Sequence, residues 1–236
     1  MSNDAKDVSR IFEIDIKYEN QRFSKTDTYL VQHTMTSSCG DEELDSWARE
    51  QKLFPWVAIA APLGQSVREG RFSGGLFSTL RLPPHTGQPV HIHGLFAVPP
   101  DRANLDRKAE AVQWNQFLFE KRVAAAWAQL LLYRNRISWK EEKFGLWPRA
   151  KLSDTGLWAK LDAWVIDIVI RERWPVWNTI SGCCVEFTQG LFAKENAEIA
   201  GYNPVLAHIQ LPAVVLEEAL FHRLEQVRLF GVNPAS

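Results

Sequence analysis

The hydrophobic period of this chain changes near Arg107, and that change limits the folds open to it. Before it, apolar residues come in short runs or in strict alternation, the spacing of strands. After it, Val112, Leu118, Val123, Trp127, Leu130 and Leu131 recur at the spacing of one helix face. Strands gathered in the first part of the sequence and helices after them predict an α+β fold, a mostly antiparallel sheet backed by helices.

Ile11–Lys17 reads I-F-E-I-D-I-K, with Ile14 and Ile16 on one face and Glu13, Asp15 and Lys17 on the other, the pattern of a half-buried strand. Tyr29–Met35 is its expected hairpin partner, and Asp41–Lys52 predicts a short helix with acidic residues in its first turn. Leu53–Leu63 is nearly all apolar and predicts a central strand buried on both faces. Leu76–Leu82 and Val90–Val98 stand either side of the turn-forming Pro83-Pro84-His85-Thr86-Gly87 and predict a second hairpin with a longer loop. Gly94 lies inside the second run, where a side chain would meet the helix layer or a neighbouring backbone. Past Arg107 the helical pattern is expected to break near Glu120–Arg122 and to reach Ile137.

Ser153 or Asp154 can cap a further helix running through Arg173, where Trp174-Pro175 ends it. Val176–Ile180 and Cys183–Phe187 are short strand candidates around Gly182, Val205–Gln210 is another, and Pro212 is expected to start a final helix reaching Arg228. The expected division is a sheet-plus-helix core over residues 1–145. Residues 146–236 form a helical and mixed C-terminal extension, either separate or part of the same domain.

Composition narrows the classes of function. An apolar share of 46% over 236 residues supports a real core, and a net charge of −1 with dispersed charges offers no footprint for nucleic acid or a membrane surface. Three cysteines, two of them the adjacent Cys183 and Cys184, give no disulfide framework. With no apparent N-terminal signal and no long apolar span, the expectation is a soluble, cytoplasmic protein. Several of the ten tryptophans, among them Trp114, Trp127, Trp158 and Trp164, fall on apolar helix faces and are expected as core anchors.

Candidate chemistry is sparse. His91 and His93 share a strand face and could form half a metal site, but only His85 lies near them in sequence, so a structural role and no metal are expected. Cys183 and Cys184 lack C-x-x-C spacing and are expected as inert buried thiols. Asp154-Thr155-Gly156 lacks the second glycine of D-x-G-x-G, Trp158 standing in its place. Neither G-x-x-x-x-G-K-[ST] nor G-x-S-x-G occurs. The expectation is therefore a non-enzyme with no catalytic residue and no cofactor. Arg102 and Arg107 remain, set beyond the rigid exit Pro99-Pro100; they are candidates for sensing a phosphate, or else solvated charges of a loop and a helix entry.

The order of features is itself specific: Gly70-Arg71-Phe72, then Leu80-x-Leu82-Pro83, then Thr86-Gly87-x-Pro89-Val90-His91-Ile92-x-Gly94-x-Phe96-Ala97-Val98, then Asp101-Arg102-x-Asn104-Leu105. It resembles the segment that follows the ATP-binding domain in each large repeat of sacsin-type proteins, where the form is close to T-G-L-P-V-H-V-N-G-x-F-A-L-S-x-x-R-R. The resemblance extends to Phe54–Leu63, to Trp114-Asn115 and to Ala126–Leu132. It implies a region analogous to the middle or transducer domain of histidine-kinase-like (GHKL) ATPases such as the ninety-kilodalton heat-shock chaperone. The implied partners are an ATPase domain, in cis or in trans, and client proteins. The family carries asparagine where His93 stands, and often a second arginine where this chain has Ala103. A stand-alone protein-interaction domain with no link to nucleotide is the alternative from a different class.

Overall fold

The computed structural model describes residues 8–19, 24–63, 72–136, 145–149, 157–195, 208 and 211–229. Two compact units divide the chain, the first comprising residues 1–130 and 145–148, the second residues 131–144 and 149–236. Together they are α+β, as the change of period implies.

The first unit is built on a six-stranded sheet. Its strands are β1 (Val8–Glu19), β2 (Ser24–Met35), β3 (Trp56–Pro62), β4 (Gly75–Ser78), β5 (Leu80–His85) and β6 (His91–Gly94), in the spatial order β1-β2-β3-β6-β4-β5. All neighbours are antiparallel except β4 and β6. The β1–β2 hairpin pairs residue for residue from Val8↔Met35 to Glu19↔Ser24 without a bulge. Helix α1 (Glu42–Glu50) follows β2, its N-terminus capped by the Asp41 carboxylate, which accepts from the Leu44 N–H at 2.9 Å.

Past the sheet, α2 (Ala109–Phe117), a π-helical segment (Leu118–Val123) and α3 (Ala124–Arg136) follow one another, the π segment falling where the helical pattern is expected to break. One extra residue in a turn rotates everything beyond it, and the buried positions record this. Trp114 and Leu118 keep α-helical spacing, whereas beyond Leu118 the buried position is Val123, and Arg122, where an unbroken helix would place it, is half-exposed. The π segment therefore keeps both halves of the helix facing one way. Its Phe119 ring stacks on Phe96 at 4.8 Å, over the sheet face that carries Leu30, Val57, Ile59, Leu76 and Ile92.

Four expectations for this unit fail. Leu76–Leu82 is two strands, because Thr79 adopts a left-handed conformation (φ 65°) and reverses the chain, so the hairpin is β4–β5 and β4 lies parallel to β6. Pro83 and Pro84 can then sit in a strand because β5 is an edge. β3 is buried on one face only: Val57, Ile59 and Ala61 meet the helices, whereas Trp56, Ala58 and Ala60 stay half-exposed. The same open face carries Phe12, Ile14, Ile16 and Tyr18 of β1, each about two-fifths exposed, so Ile14 and Ile16 do not form a buried face. Val112, expected on the inner helix stripe, is also exposed. Gly94 is closely packed, but by side chains and not by the helix layer or a backbone: a Cβ there would approach the Phe96 ring to 2.9 Å and the Val57 side chain to 3.2 Å.

The second unit contains helix α4 (Leu157–Arg171) and helix α5 (Glu218–Leu229), which pack together. The hairpin β7 (Trp177–Asn178) and β8 (Cys184–Val185) turns at Gly182 (φ 87°), as its sequence implies. Strand β9 (Leu191–Lys194) pairs in parallel with β10 (Ala213–Leu216). Pro212 thus precedes a strand, not a helix: Ala213, Val214 and Leu216 are buried, Val214 beside Phe192 across the ladder. Helix α5 starts six residues later at Glu218. The expected cap at Ser153 or Asp154, and the Trp158 side chain, lie outside the described residues. Of Val205–Gln210 only His208 is described, and it is helical.

Candidate functional site

The segment beyond β6 leaves the ladder but remains fixed, because side chains take over its hydrogen bonds. The Trp114 indole donates to the Leu95 carbonyl (2.9 Å) and the Ser78 hydroxyl to that of Phe96 (3.0 Å). Asn115, almost fully buried, treats Ala97 as a neighbouring strand would: its Oδ1 accepts from the Ala97 N–H (2.8 Å) and its Nδ2 donates to the Ala97 carbonyl (2.9 Å). The Asp106 N–H returns to that same carbonyl at 3.0 Å and closes residues 97–106 into a loop. Within it, Arg102 N–H donates to the Pro99 carbonyl (2.9 Å) and Ala103 N–H to the Asp101 carboxylate (3.0 Å); just beyond it, Lys108 N–H donates to the Asp106 carboxylate (3.1 Å).

Arg102 sits at the bend of this loop with a left-handed backbone (φ 53°), which a non-glycine residue adopts at a cost. Its half-buried side chain turns back to the sheet, and Nη2 donates to the Ser78 carbonyl at the end of β4. Arg107 is exposed and precedes α2 by two residues, so it lies before the helix and not in its first turn. The structure does not bring the two arginines together on one described contact. The Arg102–Ser78 bond spans 24 positions, and no local sequence signal points to it.

His91 and His93 both face the open side of the sheet, and each imidazole accepts a backbone N–H: Gly75 N–H to His91 Nδ1 at 2.9 Å, Thr79 N–H to His93 Nε2 at 3.2 Å. These bonds place the ring protons on Nε2 of His91 and Nδ1 of His93. Two side chains thereby extend a β4–β6 pairing that otherwise rests on Leu76↔Ile92 and Phe77↔His93. Tyr29, Phe72 and Phe77 surround the His91 ring, and Trp56 meets His93 edge-on at 4.8 Å. Among the described residues no group of three or more His, Cys, Asp or Glu gathers to hold a cation.

Burial lowers the pKa of both imidazoles, and the nearby Arg81 lowers that of His91 further. The unfolded chain therefore takes up protons first. The stability these rings confer is complete above the ordinary histidine value of about 6.5 and is lost as pH falls through the lower folded values. Urea midpoints are expected to drop between pH near 7.5 and pH near 5.5. His91→Gln with His93→Gln, which keeps an acceptor without a titrating ring, should flatten that drop; an undiminished drop in the double variant sinks the assignment.

The cysteines differ from one another. Cys39 is half-buried, and burial together with the Asp45 carboxylate pushes its thiol up to about 11. Cys184 is half-buried and donates to Asn178 Oδ1 at 3.3 Å, whereas Cys183, expected to be buried, is exposed because it stands at the mouth of the β7–β8 turn. No described helix is long and apolar enough to cross a membrane.

A sheet covered by helices on one face, with a side-chain-locked loop leaving β6, gives an α+β fold of mostly antiparallel topology, and the chain as a whole contains a sacsin-related region. The relative that shows this is human sacsin, 33% identical over 146 residues, which cover 56% of this chain and 3% of sacsin. No family model matches the chain. No solved structure matches it either.

Proposed function

We propose that this chain is a non-catalytic, transducer-like module of a sacsin-like, chaperone-associated, cytoplasmic ATPase system, working with an ATP-binding domain outside the chain, in cis or in trans, and with client proteins. The observation that carries the reading is the locked loop of residues 97–106, which holds Arg102 in one strained geometry in a chain with sacsin similarity. A guanidinium fixed through one donor on Ser78 keeps further donors for an anionic partner at small entropic cost. Arg107, exposed at the foot of the loop, is the second phosphate-sensing candidate.

The test joins or mixes the chain with its ATP-binding domain. Arg102→Ala should slow hydrolysis about tenfold or more while leaving nucleotide affinity nearly unchanged, since a finger acts on the charge of the transition state. In the chain alone the same change should cost about 1 kcal/mol, the worth of one half-exposed charge-assisted bond. Arg107→Ala should be milder in both. The chain alone should give no calorimetric signal with ATP. An unchanged hydrolysis rate in Arg102→Ala rules out the arginine's role. The open sheet face of Trp56, Phe12, Ile14, Ile16 and Tyr18 favours a second reading, a protein-interaction domain without any nucleotide partner.

A further inference from the structure

We propose that β1 joins two copies of this chain edge to edge, antiparallel, about a two-fold axis through Asp15. The six-stranded sheet has two edges and they are not alike. β5 carries Pro83 and Pro84, which have no N–H to offer another strand. β1 is 12 residues long, contains no proline, and pairs with β2 without a bulge. Every second residue therefore presents its N–H and C=O outward, and among the described residues no strand takes them. A regular, long edge beside an apolar face is a template for another strand.

The sequence of β1 selects a second copy as the occupant, because it complements itself when reversed. A two-fold axis normal to the sheet keeps like faces together, so only registers centred on a residue are allowed. With the axis at Asp15, Ile14 faces Ile16 of the partner subunit and Phe12 faces Tyr18 of the partner subunit, apolar against apolar on the open side. On the other side Glu13 faces Lys17 of the partner subunit, and by symmetry the pair occurs twice. The one like-charged meeting is Asp15 with itself, and its carboxylate is already turned to β2, where it accepts from the Thr28 hydroxyl at 2.7 Å. Neighbouring registers are worse: an axis at Ile14 sets Glu13 against Asp15 twice, and one at Ile16 sets Glu13 against Glu19 twice, which cancels its two Asp15–Lys17 attractions.

Sedimentation equilibrium of the whole chain should show a monomer–dimer equilibrium. Lys17→Glu alone, or Glu13→Lys alone, should weaken it about tenfold or more, since each turns two attractions into two repulsions. The double variant Glu13→Lys with Lys17→Glu restores both pairs and should restore the dimer, a rescue that loss of folding or a different partner surface does not give. Asp15→Cys should cross-link to its own copy under mild oxidation, because a residue on the axis faces itself at disulfide distance, and Lys17→Cys should not. A monomer at all concentrations, a dimer indifferent to the charge exchanges, or cross-linking at Lys17→Cys instead of Asp15→Cys overturns the proposal. The outcome is independent of the arginine loop, which is read out by hydrolysis.

Discussion

Gly74→Ala is expected to abolish the native fold of the first unit, seen as loss of the cooperative melt and of soluble yield. Between β5 and β6 the chain crosses the start of β4, and Gly74 is the point of crossing. Its N–H donates to the Gln88 carbonyl at 2.7 Å and its own carbonyl accepts from the Thr86 hydroxyl at 2.8 Å, so it is tied on both sides. A methyl group there would run into the Val90 carbonyl and come within 3.1 Å of the Gln88 oxygen, both backbone atoms that cannot swing aside. Overpacking against a fixed main chain costs about 3 kcal/mol or more, a large part of a domain's net stability. Gly87→Ala is the contrast. That position has open space but a left-handed φ of 66°, so it should cost about 1 kcal/mol through conformation alone. Equal melting of Gly74→Ala and the parent would mean that the chain does not cross there.

Asn115→Ala should follow in size, at about 2–3 kcal/mol by urea denaturation. The substitution leaves the buried Ala97 N–H without its acceptor, while the Ala97 carbonyl keeps only its bond from Asp106. Hydrogen exchange should accelerate at Ala97 and Asp106 first, because the loop is closed through that residue. Asn115→Asp, which keeps the acceptor and loses the donor, should fall between the parent and Asn115→Ala. A change under about 0.5 kcal/mol, the range of ordinary surface substitutions, would remove the clamp from the account.

Those two residues mark what a sequence makes legible here and what it does not. The β1–β2 hairpin follows from alternation, and the break near Glu120–Arg122 from spacing, because both are local periodicities. The β4–β5 reversal carries no such mark. Thr79 is a β-branched residue within an apolar run, and its left-handed turn is held from outside, by His93 accepting its N–H. Pro212 reads equally as a helix start and as the residue before a strand, and only the parallel partner β9, about twenty positions away, decides it. At the candidate site the arginines are legible as residues, whereas the Arg102 bond to Ser78 and the Asn115 clamp are long-range and side-chain made. A near-continuous apolar strand such as β3 implies cover on both faces, and one of its faces lies open.

The π-helical segment bears on how chain length can vary in proteins of this shape. A segment of this kind holds one residue more than an α-helix needs over the same turn, so a relative could lack that residue and keep an unbroken helix. What it could not keep is the phase. Each residue of an α-helix turns about 100°, and without compensation Trp127 and Leu130 would swing off the core while their neighbours swung in. A single-residue gap within Leu118–Val123 is therefore a change of geometry confined to one place, and a gap anywhere later in α3 is a change of face.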